Sequence, residues 1–150
     1  MANSTNIPAP EDVVEALHHT MRAIRAELQA GARAGGLDLT HMDGKVLSFF
    51  AHHPGATQKE LVNHSGRDKG QLARLIHGLK ERGLLAATPD ESDRRNLRIE
   101  LTQAGHLAHK VLRERGRELA GRSAQTLSDA ERRQLVDLLQ KLRTNLGRSA

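Results

Sequence analysis

Two short clusters of long polar side chains dominate the chemistry this chain of 150 residues can do: Lys69, Gln71 and Arg74 on one segment, and Asp93-Arg94-Arg95-Asn96 on another. A guanidinium fork matches phosphate oxygens bidentately, and it is also the side chain that suits a narrow, electronegative DNA minor groove. Lysine, glutamine and arginine at the start of a helix can reach base edges, while the helix N-terminus favours a phosphate. Each residue also has a plainer role. Lys69 can be merely solvated, Gln71 can serve only the helix start, Arg74 can pair with a nearby carboxylate, and Asp93 to Asn96 can be a charged hairpin tip.

Other chemistries are poorly supplied. The sequence contains no cysteine, which removes disulfides, thiolate nucleophiles and cysteine zinc sites. Phe49 and Phe50 are its only aromatics, so stacking platforms for single-stranded nucleic acid and RNA-reading sheets are disfavoured. No Ser, His and Asp order forms a nucleophile motif, and no Gly-rich phosphate loop is present, which argues against an enzyme. Nine histidines invite a metal reading, with His106 and His109 at i and i+3, but no triad is convincingly spaced; neither metal nor cofactor is expected. No apolar run approaches the roughly 18 residues of a membrane span, and the N-terminal segment lacks a signal-peptide core, so a cytoplasmic protein without membrane contact is expected.

The formal charge of +5 is unevenly spread. Residues 1–36 carry three basic and four acidic groups, residues 37–101 ten and nine, and residues 102–150 ten and five. The central part is nearly neutral, so placement matters more than count. Arg67, Lys69, Arg74, Lys80 and Arg82 crowd one segment, and Arg94, Arg95 and Arg98 another.

Periodicity supplies the elements that hold these groups. Val13, Leu17, Met21, Ile24 and Leu28 make a helical stripe from about Glu11 to Arg33, ended by Gly35-Gly36. Thr40, with Asp43 at N3, starts a second helix that Pro54 stops. Thr57-Gln58-Lys59-Glu60 is a capping box for a short third helix broken at Ser65-Gly66. Asp68 then caps a fourth, with Leu72, Leu75, Ile76 and Leu79 inward and Gly83 at its close. Its opposite side holds Gly70, Arg74, His77 and Glu81, with Ala73 and Gly78 beside them. Glycine in a helix interior costs about 1 kcal/mol against alanine, so Gly70 and Gly78 suggest the close approach of another surface.

Leu84 to Thr88 and Leu97 to Leu101 read as paired strands, the second with Leu97, Ile99 and Leu101 on a buried face. Thr102 caps a long charged helix weakened by Gly116 and Gly121, and Ser128 to Glu131 opens a last one with Leu135, Leu138, Leu139, Leu142 and Leu146 as its stripe. A short helix, a glycine turn, a second helix and a hairpin make a winged helix-turn-helix. The fold class expected is mainly α with a small β-wing, a winged helix-turn-helix flanked by N- and C-terminal helices. The stripes on those flanking helices exceed what the small module can cover, so two copies are expected to pair through them.

At this point the chain resembles the MarR-type winged helix-turn-helix transcription regulators nearly end to end. The resemblance runs from Glu60-Leu61 through Gly66, Asp68, Leu72, Arg74-Leu75-Ile76, Leu79 and Arg82-Gly83-Leu84-Leu85 to Asp93-Arg94-Arg95 and Leu101-Thr102-Gln103-Ala104-Gly105. It implies an arm and dimerisation helix over 1–36, a DNA-binding module over 37–101, and a long helix with a C-terminal dimerisation helix over 102–150, forming one integrated domain. It further implies a ligand-responsive homodimeric repressor on a palindromic double-stranded operator. The recognition helix would be 69–82 and the wing 89–96. Contacts to DNA would come from Lys69, Gly70, Gln71, Ala73, Arg74, His77, Asp93, Arg94, Arg95 and Asn96. By resemblance Arg95 enters the minor groove, Asp93 orients it, and Arg94 makes a phosphate or supporting contact. Relatives often release DNA on binding a small aromatic acid, for which Met21, Met42, Phe49 and His106 are the candidate pocket residues. Three departures stand out: Ala86-Ala87 where a basic residue is common, Gly70 and Gly78 in place of bulkier residues, and Asp68 where Ser or Thr is usual. The alternative is an architectural protein that binds DNA without sequence preference.

Overall fold

The computed structural model describes residues 7–147. Six helices and one hairpin follow in the order α1 (Pro10–Ala34), α2 (His41–His52), α3 (Gln58–Ser65), α4 (Lys69–Glu81), β1 (Leu85–Pro89), β2 (Leu97–Leu101), α5 (Gln103–Ala124) and α6 (Asp129–Gly147). The chain divides into two compact units, Met1–Gly116 and Arg117–Ala150. Among the described residues no helix is long and apolar enough to cross a membrane.

Local caps fix most helix starts in the first unit. Thr40 Oγ1 accepts the Asp43 N–H at 3.1 Å while the Asp43 carboxylate accepts the Thr40 N–H at 2.8 Å. Thr57 and Glu60 repeat the arrangement at 3.3 and 2.7 Å. Such a box satisfies donors that an isolated helix end leaves orphaned. α1 begins one residue before the expected Glu11, because Pro10 can occupy the first turn and Asp12 accepts the Ala9 N–H at 2.8 Å. Gly66 and Gly83 take φ of +64° and +67°, left-handed backbone that lets α3 turn into α4 and α4 into the hairpin.

The core gathers the inward stripes of α2, α3 and α4 with one face of the hairpin: Leu47, Phe50, Leu61, Leu72, Leu79, Leu85 and Ile99 are all buried. Burying each such side chain favours folding by roughly 1.5–3 kcal/mol. β1 and β2 are antiparallel, with Leu85 opposite Leu101, Ala87 opposite Ile99 and Pro89 opposite Leu97. The expected buried face of β2 needs one correction. Ile99 and Leu101 are buried, but Leu97 is 44% exposed, because it pairs with Pro89 at the outer end of the hairpin. A third short pairing braces the hairpin: the Gly55 N–H donates to the Ile99 carbonyl and the Ile99 N–H to the Ala56 carbonyl, each at 3.0 Å.

At the start of α5, Thr102 Oγ1 accepts the Gly105 N–H at 3.0 Å and donates to the Gly83 carbonyl at 2.6 Å. α1 leaves Val13, Val14 and Met21 exposed. In the second unit, Ser128 and Glu131 form the cap of α6, whose Leu135, Val136, Leu138, Leu139 and Leu146 are all exposed. Each of these helices thus presents an apolar face to solvent in the single chain.

Candidate nucleic-acid interface

α4 lies with Leu72, Ile76 and Leu79 in the core and Lys69, Gly70, Gln71, Arg74 and His77 exposed. Its outward residues separate onto two flanks. On the wing side, Lys69, Ala73, His77 and Lys80 share a groove of about 600 Å³ with Lys59 of α3 and with Arg95 and Asn96 of the wing. No acidic side chain lines that groove. On the other flank, Gln71, Arg74 and Gly78 border a shallower depression with Asp43 and Arg82. There Arg82 donates to the Asp38 carbonyl and lies 3.7 Å from the Asp43 carboxylate, tying the end of α4 to the start of α2. His77 lies 3.8 Å from Glu81, but both side chains are well exposed, so the pair is weak.

The N-terminus of α4 is not vacant. Asp68 Oδ1 accepts the Gln71 N–H at 2.8 Å, so a carboxylate already occupies the end that was expected to favour a phosphate. The same cap bears on Gly70, where a Cβ would sit 3.2 Å from Asp68 Oδ1. Its small size therefore spares the cap. Around Gly78 nothing lies within 4 Å of an added Cβ, so that position is open on the outer surface.

The wing tip is held by two carboxylates. Asp93 accepts the Arg95 backbone N–H at 3.1 Å and the Asn96 side-chain amide at 3.1 Å. Asp93 thus fixes the backbone of Arg95. Arg94 and Arg95 are both exposed. Asp90 is 7% exposed and accepts from the Ser92 N–H at 2.8 Å, the Ser92 hydroxyl at 2.5 Å, the Asp93 N–H at 3.0 Å and the Arg98 guanidinium. The Ser92 hydroxyl first, then the Asp93 N–H and Arg98, hold its carboxyl well below the usual carboxylate range. Ala86 is exposed opposite Glu100, and Ala87 is half-buried on the floor of the α4 groove.

The four residues expected to line a ligand pocket are not brought together in the single chain. Met21 lies along an open groove of α1, Met42 and Phe49 border a cavity of about 680 Å³ beside α3, and His106 is exposed. A different cleft, of about 240 Å³, opens between α1, α2 and α5, bordered by Leu28, His41, Lys45, His109 and Arg113. His109 is 9% exposed and its Nε2 is buried without a hydrogen-bond partner. Burial, aided by Arg113, His52 and His106, pushes its pKa below the ordinary histidine value. His41 is shifted the same way by burial and then by Lys45, Arg25 and Arg67. The i and i+3 spacing of His106 and His109 drew attention in the sequence, but only the packing of α5 on α2 selects the second.

A model of the MarR family matches residues 37–96, which span α2 to the wing. The HTH-type transcriptional repressor NicR of Pseudomonas putida is 27% identical over 135 residues, 89% of this chain and 85% of that protein. Among solved structures, the transcriptional regulator SlyA is similar with a TM-score of 0.76 at 24% identity, covering 92% of this chain and 96% of its own. The reduced form of MarR from E. coli has the same TM-score at 25% identity, covering 91% and 98%.

Proposed function

We propose that the chain is a MarR-family winged helix-turn-helix transcriptional regulator and, within that family, a homodimeric repressor of a palindromic operator. Family members bind DNA and are not enzymes. The observation that carries the reading is the groove between α4 and the wing, lined by Lys59, Lys69, His77, Lys80 and Arg95 with no acid among them. In this reading α4 enters the major groove, with Lys69, Gly70, Gln71, Ala73, Arg74 and His77 facing bases and phosphates. The wing follows the backbone, Arg95 reaches the minor groove, Asp93 sets its backbone, and Arg94 and Asn96 contact phosphate or sugar. Two copies meet through the exposed faces of α1 and α6, and each brings its own α4 to one half of the palindrome.

The test is selection from a random duplex library followed by anisotropy on the enriched site. A palindromic site bound at least about a thousandfold tighter than scrambled DNA is expected. Arg95→Ala should weaken binding and relax discrimination at AT-rich flanks. A ratio near one would instead support an architectural protein.

The same reading makes the repressor ligand-responsive through the cleft of α1, α2 and α5. An aromatic carboxylate there meets the cations of Lys45 and Arg113. Calorimetry with salicylate, coupled to operator titration, tests this; no heat and no change in operator affinity over millimolar ligand would exclude that effector class.

A further inference from the structure

Arg98 makes a connection that the operator-reading residues do not. It stands on β2 opposite Thr88 and donates in two directions, through Nε to the Asp90 carboxylate and through Nη1 to the Gly55 carbonyl at 3.2 Å. Gly55 lies on the connection between α2 and α3, and its own N–H is bonded to Ile99. The guanidinium therefore ties the hairpin to the helical body.

From Asp90 the connection runs on into the tip. Its Oδ1 holds the Asp93 N–H, and its own N–H donates to the Asn96 carbonyl at 2.9 Å. Asp93 in turn holds the N–H of Arg95. Arg98, Asp90, Asp93 and Arg95 thus form one continuous chain of hydrogen bonds. Asp90 is nearly buried although every residue from Glu91 to Leu97 is exposed. An ion buried at the base of an exposed tip is expensive unless its bonds are complete, and Asp90 has four.

We infer that Asp90 and Arg98 are positioning residues of the wing, which order residues 90–96 before DNA arrives so that Arg95 is already aimed. The inference rests on the wing's proposed role in DNA reading. Its physical content is entropic: a tip ordered during folding does not incur the cost of fixing its backbone again on binding.

Charge and positioning predict opposite signs for one variant, which makes the test decisive. Asp90→Asn removes a negative charge beside a polyanion, so electrostatics alone raises affinity for any duplex. Positioning requires operator affinity to fall, by about fivefold to tenfold, while affinity for scrambled DNA stays level or rises. Arg98→Lys keeps the charge but loses the two-way fork, so it should also lose operator affinity with an unchanged salt slope. In an Arg95→Ala background each change should cost much less, because the main residue being aimed is gone and only the contacts of Arg94 and Asn96 remain to be ordered. Far-UV circular dichroism checks that each variant is folded, and if Asp90→Asn is not, Arg98→Lys alone carries the comparison. Operator affinity equal to or above wild type in the folded variants, or the same loss with and without Arg95, overturns the inference. If Arg95→Ala itself changes nothing, the wing reading is what fails, and the positioning role falls with it.

Discussion

Gly105→Ala should destabilise the protein well beyond what its position on a helix suggests. An alanine Cβ at 105 would lie 2.0 Å from the Leu84 oxygen, 3.1 Å from the Leu84 carbonyl carbon and 3.3 Å from Leu101 Cβ. To restore an ordinary contact the start of α5 and the chain entering β1 must separate by roughly 1 Å, in a region packed to near-crystalline density. The Leu84 oxygen also accepts the Thr102 N–H at 3.1 Å, so the same shift strains that bond. Overpacking of this kind costs about 1–3 kcal/mol and a weakened hydrogen bond about 1 kcal/mol more, so a loss of roughly 2–4 kcal/mol is expected. In a chain of this size that lowers the Tm by roughly 5–15 °C. Gly78→Ala is the matched control, because nothing lies within 4 Å of its added Cβ. Without a clash the helix-propensity gain is all that remains, about 0.5–1 kcal/mol in favour of folding. Thermal and urea unfolding followed by circular dichroism, at one protomer concentration, give both numbers. If Gly105→Ala melts within about 2 °C of wild type, the close approach of α5 to Leu84 is wrong.

Three further outcomes are expected. Lys69→Ala and Arg74→Ala should each reduce the slope of log K against log salt by about one if they contact phosphate, whereas an unchanged slope with lost discrimination marks a base contact. His109 and His41 both have pKa values lowered by burial, so the unfolded chain takes up their protons first as pH falls. Their contribution is therefore complete above about pH 6.5 and is lost progressively below it, and His109→Gln should flatten the urea midpoint between about pH 7 and 5; parallel profiles would remove His109 as a source. Leu138→Arg on the exposed stripe of α6 should shift the protein toward monomer in analytical ultracentrifugation, and an unchanged mass would place the interface elsewhere.

What the sequence disclosed, it disclosed through short-range chemistry. The boxes Thr40/Asp43, Thr57/Glu60 and Ser128/Glu131 close within three residues, so the helix starts could be read without knowing what packs against them. The two strands were legible because Ile99 and Leu101 alternate with Arg98 and Glu100. Alternation names a face, however, and does not say how far the covering surface extends, which is why Leu97 stands exposed. The contacts without a local signature span the chain. Arg98 reaches a carbonyl 43 residues away and Arg82 one 44 residues away, and nothing local marks either partner. Gly70 shows a subtler limit: a small residue was read as room for another molecule, while the Asp68 carboxylate two residues earlier is what a side chain would meet.

The near-neutral charge of residues 37–101 follows from the same arrangement. A surface meant for a polyanion would ordinarily exclude carboxylates, yet Asp68, Asp90 and Asp93 sit at the start of α4 and in the wing. Each accepts a backbone N–H from a residue two or three positions on, so each is committed to the chain's own donors. A carboxylate used in this way spends its charge locally, on a cap or a turn, and its repulsion of phosphate is screened by the dipoles it orders. What remains at the wing-side groove is cationic: Lys59, Lys69, Lys80 and Arg95. Net charge therefore understates the attraction this surface exerts. The acids shape the backbone that holds the cations in place, and a count of charges along the sequence cannot separate the two roles.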